Sequence, residues 1–276
     1  MRNRDDVFIT ADELARHLDA GAPMTLLDVR WELGRPDGSE AYRQGHLPGA
    51  VYVSLDDELS DHSVTGRGRH PLPSGAALQA AARRWGVRTG VPVVVYDDWN
   101  RAGSARAWWV LTAAGIPGVR ILDGGLAAWR GELHTGAVHS EPGDVTVVHD
   151  DLYAGALPTV TADEASTAAT LLDARAPERY RGETEPVDPV AGHIPGARNV
   201  PATALLADGT LRPTDELRQL LGPVDGEVAA YCGSGVTASL VVAALRATGV
   251  EAALFPGSWS QWSAEARPVA VGDEIP

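Results

Sequence analysis

The only cysteine of the chain, Cys232, stands in the stretch AAYCGSGVTASL, residues 229–240, where an apolar run gives way to glycines and then to a small-residue helix. A strand ending at Tyr231 and a helix starting near Thr237 or Ala238 put Cys232 at the head of a short Gly-Ser-Gly-Val-Thr loop. Such a loop feeds a helix N-terminus, where unpaired N–H groups and the helix dipole favour an anion and activate a thiol. Gly233 and Gly235 let the backbone curl so that successive amides face one centre. Ser234 and Thr237 add hydroxyl donors. The centre of that ring suits a sulfur anion or an oxyanion.

The same residues exclude several chemistries. A single cysteine allows no disulfide within the chain, no dithiol exchange and no cysteine metal cluster. A cysteine phosphatase loop needs an arginine that clamps phosphate bidentately, but the position that would hold it is Ala238 and no arginine follows before Arg246. A thiol activated by histidine would draw on His70 or His193. All 23 basic residues are arginine, so lysine Schiff bases, pyridoxal phosphate and the GxxxxGK[ST] phosphate loop are absent. A formal net charge of −14 argues against nucleic acid or an anionic membrane as a partner. The N-terminal stretch carries no apolar signal core and no run approaches a membrane span, so a reducing, cytoplasmic setting is expected.

The elements that must hold Cys232 occur twice. FITADELARHL answers TVTADEASTAA, LLDVR answers LLDAR, GHLPGAVYV answers GHIPGARNV, VPVVVYD answers GEVAAYC, and DGGLAAW answers FPGSWSQW, in the same order and offset by 132–151 residues. Capping boxes at Thr10/Glu13 and Thr161/Glu164 should each open a helix. Residues 1–140 and 158–276 read as two copies of one domain, with 141–157 as the linker. Short apolar strands (TLLDV, VPVVVY, VRILD; TLLDA, EVAAYC, EAALF) alternate with helical segments, which predicts an α/β fold with a mainly parallel sheet in each copy. Ligands bind beyond the carboxyl ends of such strands, where Cys232 falls. His46 and His193 recur in both copies and read as structural.

On these motifs the chain resembles the tandem rhodanese-type sulfurtransferases, most nearly those acting on 3-mercaptopyruvate. The LLDVR…GHLPGA and LLDAR…GHIPGA blocks look like the family's N-terminal signature, and DGGLAAW and FPGSWSQW like its C-terminal one. The resemblance implies two rhodanese-like domains, each a mainly parallel sheet flanked by helices. Only the second carries the catalytic cysteine; Asp97 takes that place in the first. It also implies ping-pong chemistry without a cofactor or metal: Cys232 takes sulfur from a small-molecule donor as a persulfide and passes it to cyanide, a small thiol or thioredoxin. The uncharged CGSGVTA loop is similar to that of the mercaptopyruvate enzymes; thiosulfate:cyanide transfer and a non-catalytic sulfur-carrier or regulatory module are the alternatives. By resemblance Arg179 holds the donor carboxylate, Gly233, Gly235, Val236 and Thr237 line the donor site, and Trp31 lies at its mouth. Ser234, His70 and Asp57 match a Ser/His/Asp relay. The family's second arginine falls on Asp188, which removes a cation; Arg181 or Arg175 could stand in, although Arg175 repeats Arg30 and reads as structural.

Overall fold

The computed structural model describes residues 4–273. Its first sheet holds β1 (Phe8–Ile9), β2 (Thr25–Asp28), β3 (Val51–Tyr52), β4 (Val93–Tyr96) and β5 (Val119–Leu122) in the order β1-β5-β4-β2-β3, every pair parallel. Its second sheet draws on β6 (Thr170–Asp173), β7 (Arg198–Asn199), β10 (Val228–Tyr231) and β11 (Ala253–Leu254) in the order β11-β10-β6-β7, again all parallel. A small antiparallel hairpin of β8 (Leu206–Ala207) and β9 (Thr210–Leu211) stands apart. The central strands are buried on both faces, as their unbroken apolar runs require.

The repeated motifs act as one lock used twice. In the first unit Asp28 ends β2 beside Tyr96, which ends β4; in the second, Asp173 and Tyr231 hold the same register. Arg30 turns back onto Asp28 at 2.9 Å and donates to the Gly45 carbonyl. Arg175 does the same to Asp173 at 2.6 Å and to the Gly192 carbonyl at 2.7 Å. The tyrosine hydroxyls accept from the amides of Leu47 and Ile194, both at 3.0 Å. His46 stacks on Tyr42, and His193 on Tyr180, each with Nδ1 on the tyrosine carbonyl. The Asp-x-Arg and Gly-His-x-Pro-Gly signatures therefore clamp a crossover loop to the strand ends, and both histidines are buried in that clamp.

One detail differs from the sequence expectations, and the linker is packed rather than open. Thr161 and Glu164 close a complete capping box, whereas Glu13 leaves Thr10 half-capped because its carboxylate pairs with Arg120 at 2.7 Å. Residues 141–157 do not span open solvent. Gly143, Val145 and Ala156 donate to carbonyls of Arg83, Val87 and Ala113, and Leu152 is buried in the core.

The helices Ala102–Ala113 and Ala238–Ala247 follow the equivalent strands β4 and β10 and pack against each other. Nearly every residue of both is buried, so this contact forms the seam between the units. Beneath it, Arg106 lies fully buried and donates to the carbonyls of Leu59 (3.0 Å) and His70 (2.9 Å) in the first unit and of Gly235 (3.3 Å) in the second.

The Arg30–Asp28 pair is buried on both sides. Removing one partner leaves an uncompensated charge in the core, so Arg30→Ala should lower stability by about 3 kcal/mol in urea denaturation.

Candidate active site

Cys232 follows β10 directly and is almost wholly buried at the floor of a cleft of about 420 Å³. The loop after it is held by its carbonyls. Those of Cys232 and Gly233 accept from the amides of Trp259 (3.0 Å) and Ser260 (2.9 Å), while that of Gly235 accepts from Arg106 and the Ser239 hydroxyl. Gly235 has φ of +77°, and a Cβ there would stand 2.4 Å from the Pro256 carbonyl oxygen, so only glycine fits. The amides of residues 233–237 have no protein acceptor among the described residues. They remain available to a ligand at the start of the helix Ala238–Ala247.

The corresponding loop of the first unit demonstrates what such amides take. There Asp97 replaces the cysteine, and its own carboxylate fills the loop. Oδ1 accepts from the amides of Trp99 and Arg101, both at 3.2 Å, and Oδ2 from the Ser104 amide and hydroxyl at 3.1 and 2.7 Å. The Arg101 guanidinium closes the arrangement at 3.1 Å.

Ser234 and His70 meet across the seam: the Ser234 hydroxyl and His70 Nδ1 are 2.7 Å apart. Burial, with the nearby Arg106 and Arg69 charges, lowers the His70 pKa to about 3, so the imidazole is neutral and its Nδ1 can accept a hydrogen bond from the serine hydroxyl. The carboxylate behind it is Asp56, at 3.3 Å from Nε2, and not Asp57. Both lie on the short helix Leu55–Glu58, where successive side chains diverge by about 100°. Leu55 packs inward, Asp56 points at His70 and Trp31, and the exposed Asp57 accepts from the Ser54 hydroxyl at 2.7 Å. Trp31 lines the mouth and also fixes Asp56, donating its indole N–H at 3.0 Å.

Arg179, Thr237, Gly233 and Trp31 all line the cleft. Val236 does not; it is buried in the core, and Gly235 shapes the loop without lining the cavity. Arg179 is held by Glu185 at 2.6 Å, and Glu185 also reaches Arg175 at 3.4 Å. Arg181 pairs with Glu183 away from the cleft, and Arg175 is committed to Asp173, so neither replaces the missing second arginine. Arg69 is the cation that faces Asp188. It lines the cleft from the first unit and is ion-paired to Asp188. Asp56, Arg69 and Glu185 were not singled out from sequence. Arg69 had a signal only in hindsight, as a cation beside His70 facing an acidic residue where a basic one was expected.

Cys232 thus stands at a strand-to-helix loop beneath unpaired amides, with a histidine from the duplicate of its own domain on the neighbouring serine. The rhodanese-like domain model matches residues 10–132 and 159–265. The chain is 63% identical over 282 residues, 99% of each chain, to the protein of Mycobacterium tuberculosis named "Putative thiosulfate sulfurtransferase SseB". It is 36% identical to the 3-mercaptopyruvate sulfurtransferase of Escherichia coli K12, covering 94% of this chain and 95% of that one. The crystal structure of SseA from Escherichia coli superposes with a TM-score of 0.79 at 35% identity, over 92% of this chain and 98% of that one. The chain belongs to the rhodanese family, as a two-domain sulfurtransferase. No helix among the described residues is long and apolar enough to cross a membrane.

Because folded His70 resists protonation and the unfolded chain does not, the unfolded state binds the extra proton below pH about 6.5. Stability should therefore fall as pH drops from about 6.5 towards 4.5. His70→Gln should lose roughly 1–2 kcal/mol less over that interval than the wild type, measured by denaturation at each pH.

Proposed function

We propose that the chain takes sulfur from 3-mercaptopyruvate onto Cys232 and hands it to a thiophilic acceptor: cyanide, a small thiol or thioredoxin. The Cys232 thiolate attacks the donor sulfur, and the S–S bond forms as the C–S bond breaks. The electron pair passes to the departing carbon as the enolate of pyruvate, and the donor's sulfur-bound proton ends on its methyl group. The acceptor then attacks the outer sulfur of the persulfide and releases the Cys232 thiolate. Loop amides that hold a carboxylate in the first unit support stabilisation of the thiolate and persulfide in the second. Arg179 is the proposed carboxylate ligand. A free thiol nucleophile fits a reducing, cytoplasmic compartment.

The observation that carries the donor assignment is the Ser234–His70 contact at 2.7 Å. Cleaving 3-mercaptopyruvate moves a proton to carbon, and the Ser234 hydroxyl, oriented by a neutral imidazole, offers a group through which it can pass. Cleaving thiosulfate releases sulfite and moves no proton. Thiosulfate remains the second reading, favoured by the name of the 63% identical relative.

Ser234→Ala should reduce turnover of 3-mercaptopyruvate by about 100-fold or more while changing thiosulfate turnover little. A native preference for thiosulfate, or equal losses on both donors, would overturn the assignment. Cys232→Ser should remain folded and abolish transfer, and intact-mass analysis after donor treatment should find one added sulfur on the wild type alone. Arg179→Ala should chiefly raise the donor KM, by about 10-fold or more.

A further inference from the structure

We infer that Tyr153, in the linker between the two units, is a positioning residue for His70: it grips the histidine loop on both sides of the imidazole and so sets the Ser234–His70 contact. Its bearing on turnover rests on the reading of that contact as the path of the donor's proton. Residues 59–74, His70 among them, form neither strand nor helix, so no regular ladder of backbone hydrogen bonds fixes where the imidazole stands. The Tyr153 hydroxyl accepts from the Leu72 amide at 3.0 Å, just after His70. The Arg67 guanidinium lies over the Tyr153 ring, 4.2 Å from its centroid, just before His70. One side chain of the linker thus brackets the loop that carries the histidine.

Tyr153 is itself a fixed post. Its ring packs against the main core, and its neighbour Leu152 is buried there. Its amide donates to Asp151 Oδ1 at 2.9 Å, and its carbonyl accepts from the Thr159 hydroxyl at 2.6 Å, where the second unit begins. Asp150 extends the same grip: its carbonyl and its carboxylate accept from the amides of Gly75 (2.7 Å) and Ala76 (2.8 Å), which open the helix Gly75–Arg84 after the histidine loop. The imidazole is also met by ring edges, those of Trp31 and His62, with centroids 5.4 and 5.8 Å away. Edge contacts of that kind tolerate sliding, whereas a hydrogen bond of 2.7 Å does not survive a displacement of about 1 Å. Phenylalanine at 153 would keep the ring beneath Arg67 but leave the part-buried Leu72 amide without its acceptor. Cys232 and its loop amides lie in the other unit and are held by other partners.

The test is Tyr153→Phe. Its kcat with 3-mercaptopyruvate should fall about 10-fold while KM and thiosulfate turnover stay within about twofold of wild type. Added to Ser234→Ala it should cost nothing more, because the contact it supports is already gone. A second readout needs no donor. In protein carrying isotope-labelled histidine, the His70 ring, assigned by its loss in His70→Gln, should hold its proton on Nε2 in the wild type and mix both tautomers in Tyr153→Phe, as nuclear magnetic resonance would resolve. An unchanged tautomer in Tyr153→Phe would overturn the inference. So would equal losses on both donors, or an undiminished loss in the Ser234→Ala background, which are the outcomes for a tyrosine that only stabilises the fold. If Ser234→Ala spares 3-mercaptopyruvate turnover while the tautomer still changes in Tyr153→Phe, the proton-path reading fails and the positioning of His70 by Tyr153 stands.

Discussion

One buried guanidinium organises the molecule. Arg106 has no carboxylate among its hydrogen-bond partners; it is bound to backbone carbonyls drawn from both units. Burial lowers its pKa only to about 10, so it stays charged at neutral pH. Carbonyls that face a fixed cation cannot turn, and two of them belong to His70 and Gly235. The histidine loop and the cysteine loop are thereby referred to the same point. The 2.7 Å Ser234–His70 contact follows from that common anchor rather than from either loop alone.

The two loops at the strand ends illustrate how a single side chain decides between an occupied and an available receptor. The Asp97 carboxylate satisfies its loop from within, with Arg101 folded over it. A cysteine is too short and too weak an acceptor to do the same, so the amides after Cys232 are left for a ligand. The clamp at the strand ends is repeated between the copies down to individual hydrogen bonds. At this loop the two copies therefore differ because of one position and its immediate neighbours, not because of the clamp beneath it.

The tandem organisation, the parallel sheets and the position of Cys232 were legible in the sequence because each is a local pattern: an apolar strand, a glycine pair, a repeated block. Arg179, Ser234 and His70 were singled out by motif; Arg179 and Ser234 line one cleft, and His70 meets Ser234 behind it. Asp56 was missed in favour of its neighbour, since which of two adjacent carboxylates faces inward depends on the phase of a four-residue helix set by Leu55. Arg69 was missed for a different reason. An ion pair between residues 119 positions apart leaves no periodicity to read. The aspartate at 188 looked like a lost contact because its partner lies in the other unit.

The seam also bears on how such a chain can change over time. The half with the thiol borrows its imidazole, two of its arginines and its indole lip from the half without one, and the lender has filled its own loop with Asp97. Neither half is a portable module any longer. A recombination that transplanted residues 158–276 alone would carry the thiol without the histidine that meets Ser234, so the inheritable unit is the pair. The ancestral symmetry survives in the backbone but no longer in the genetics.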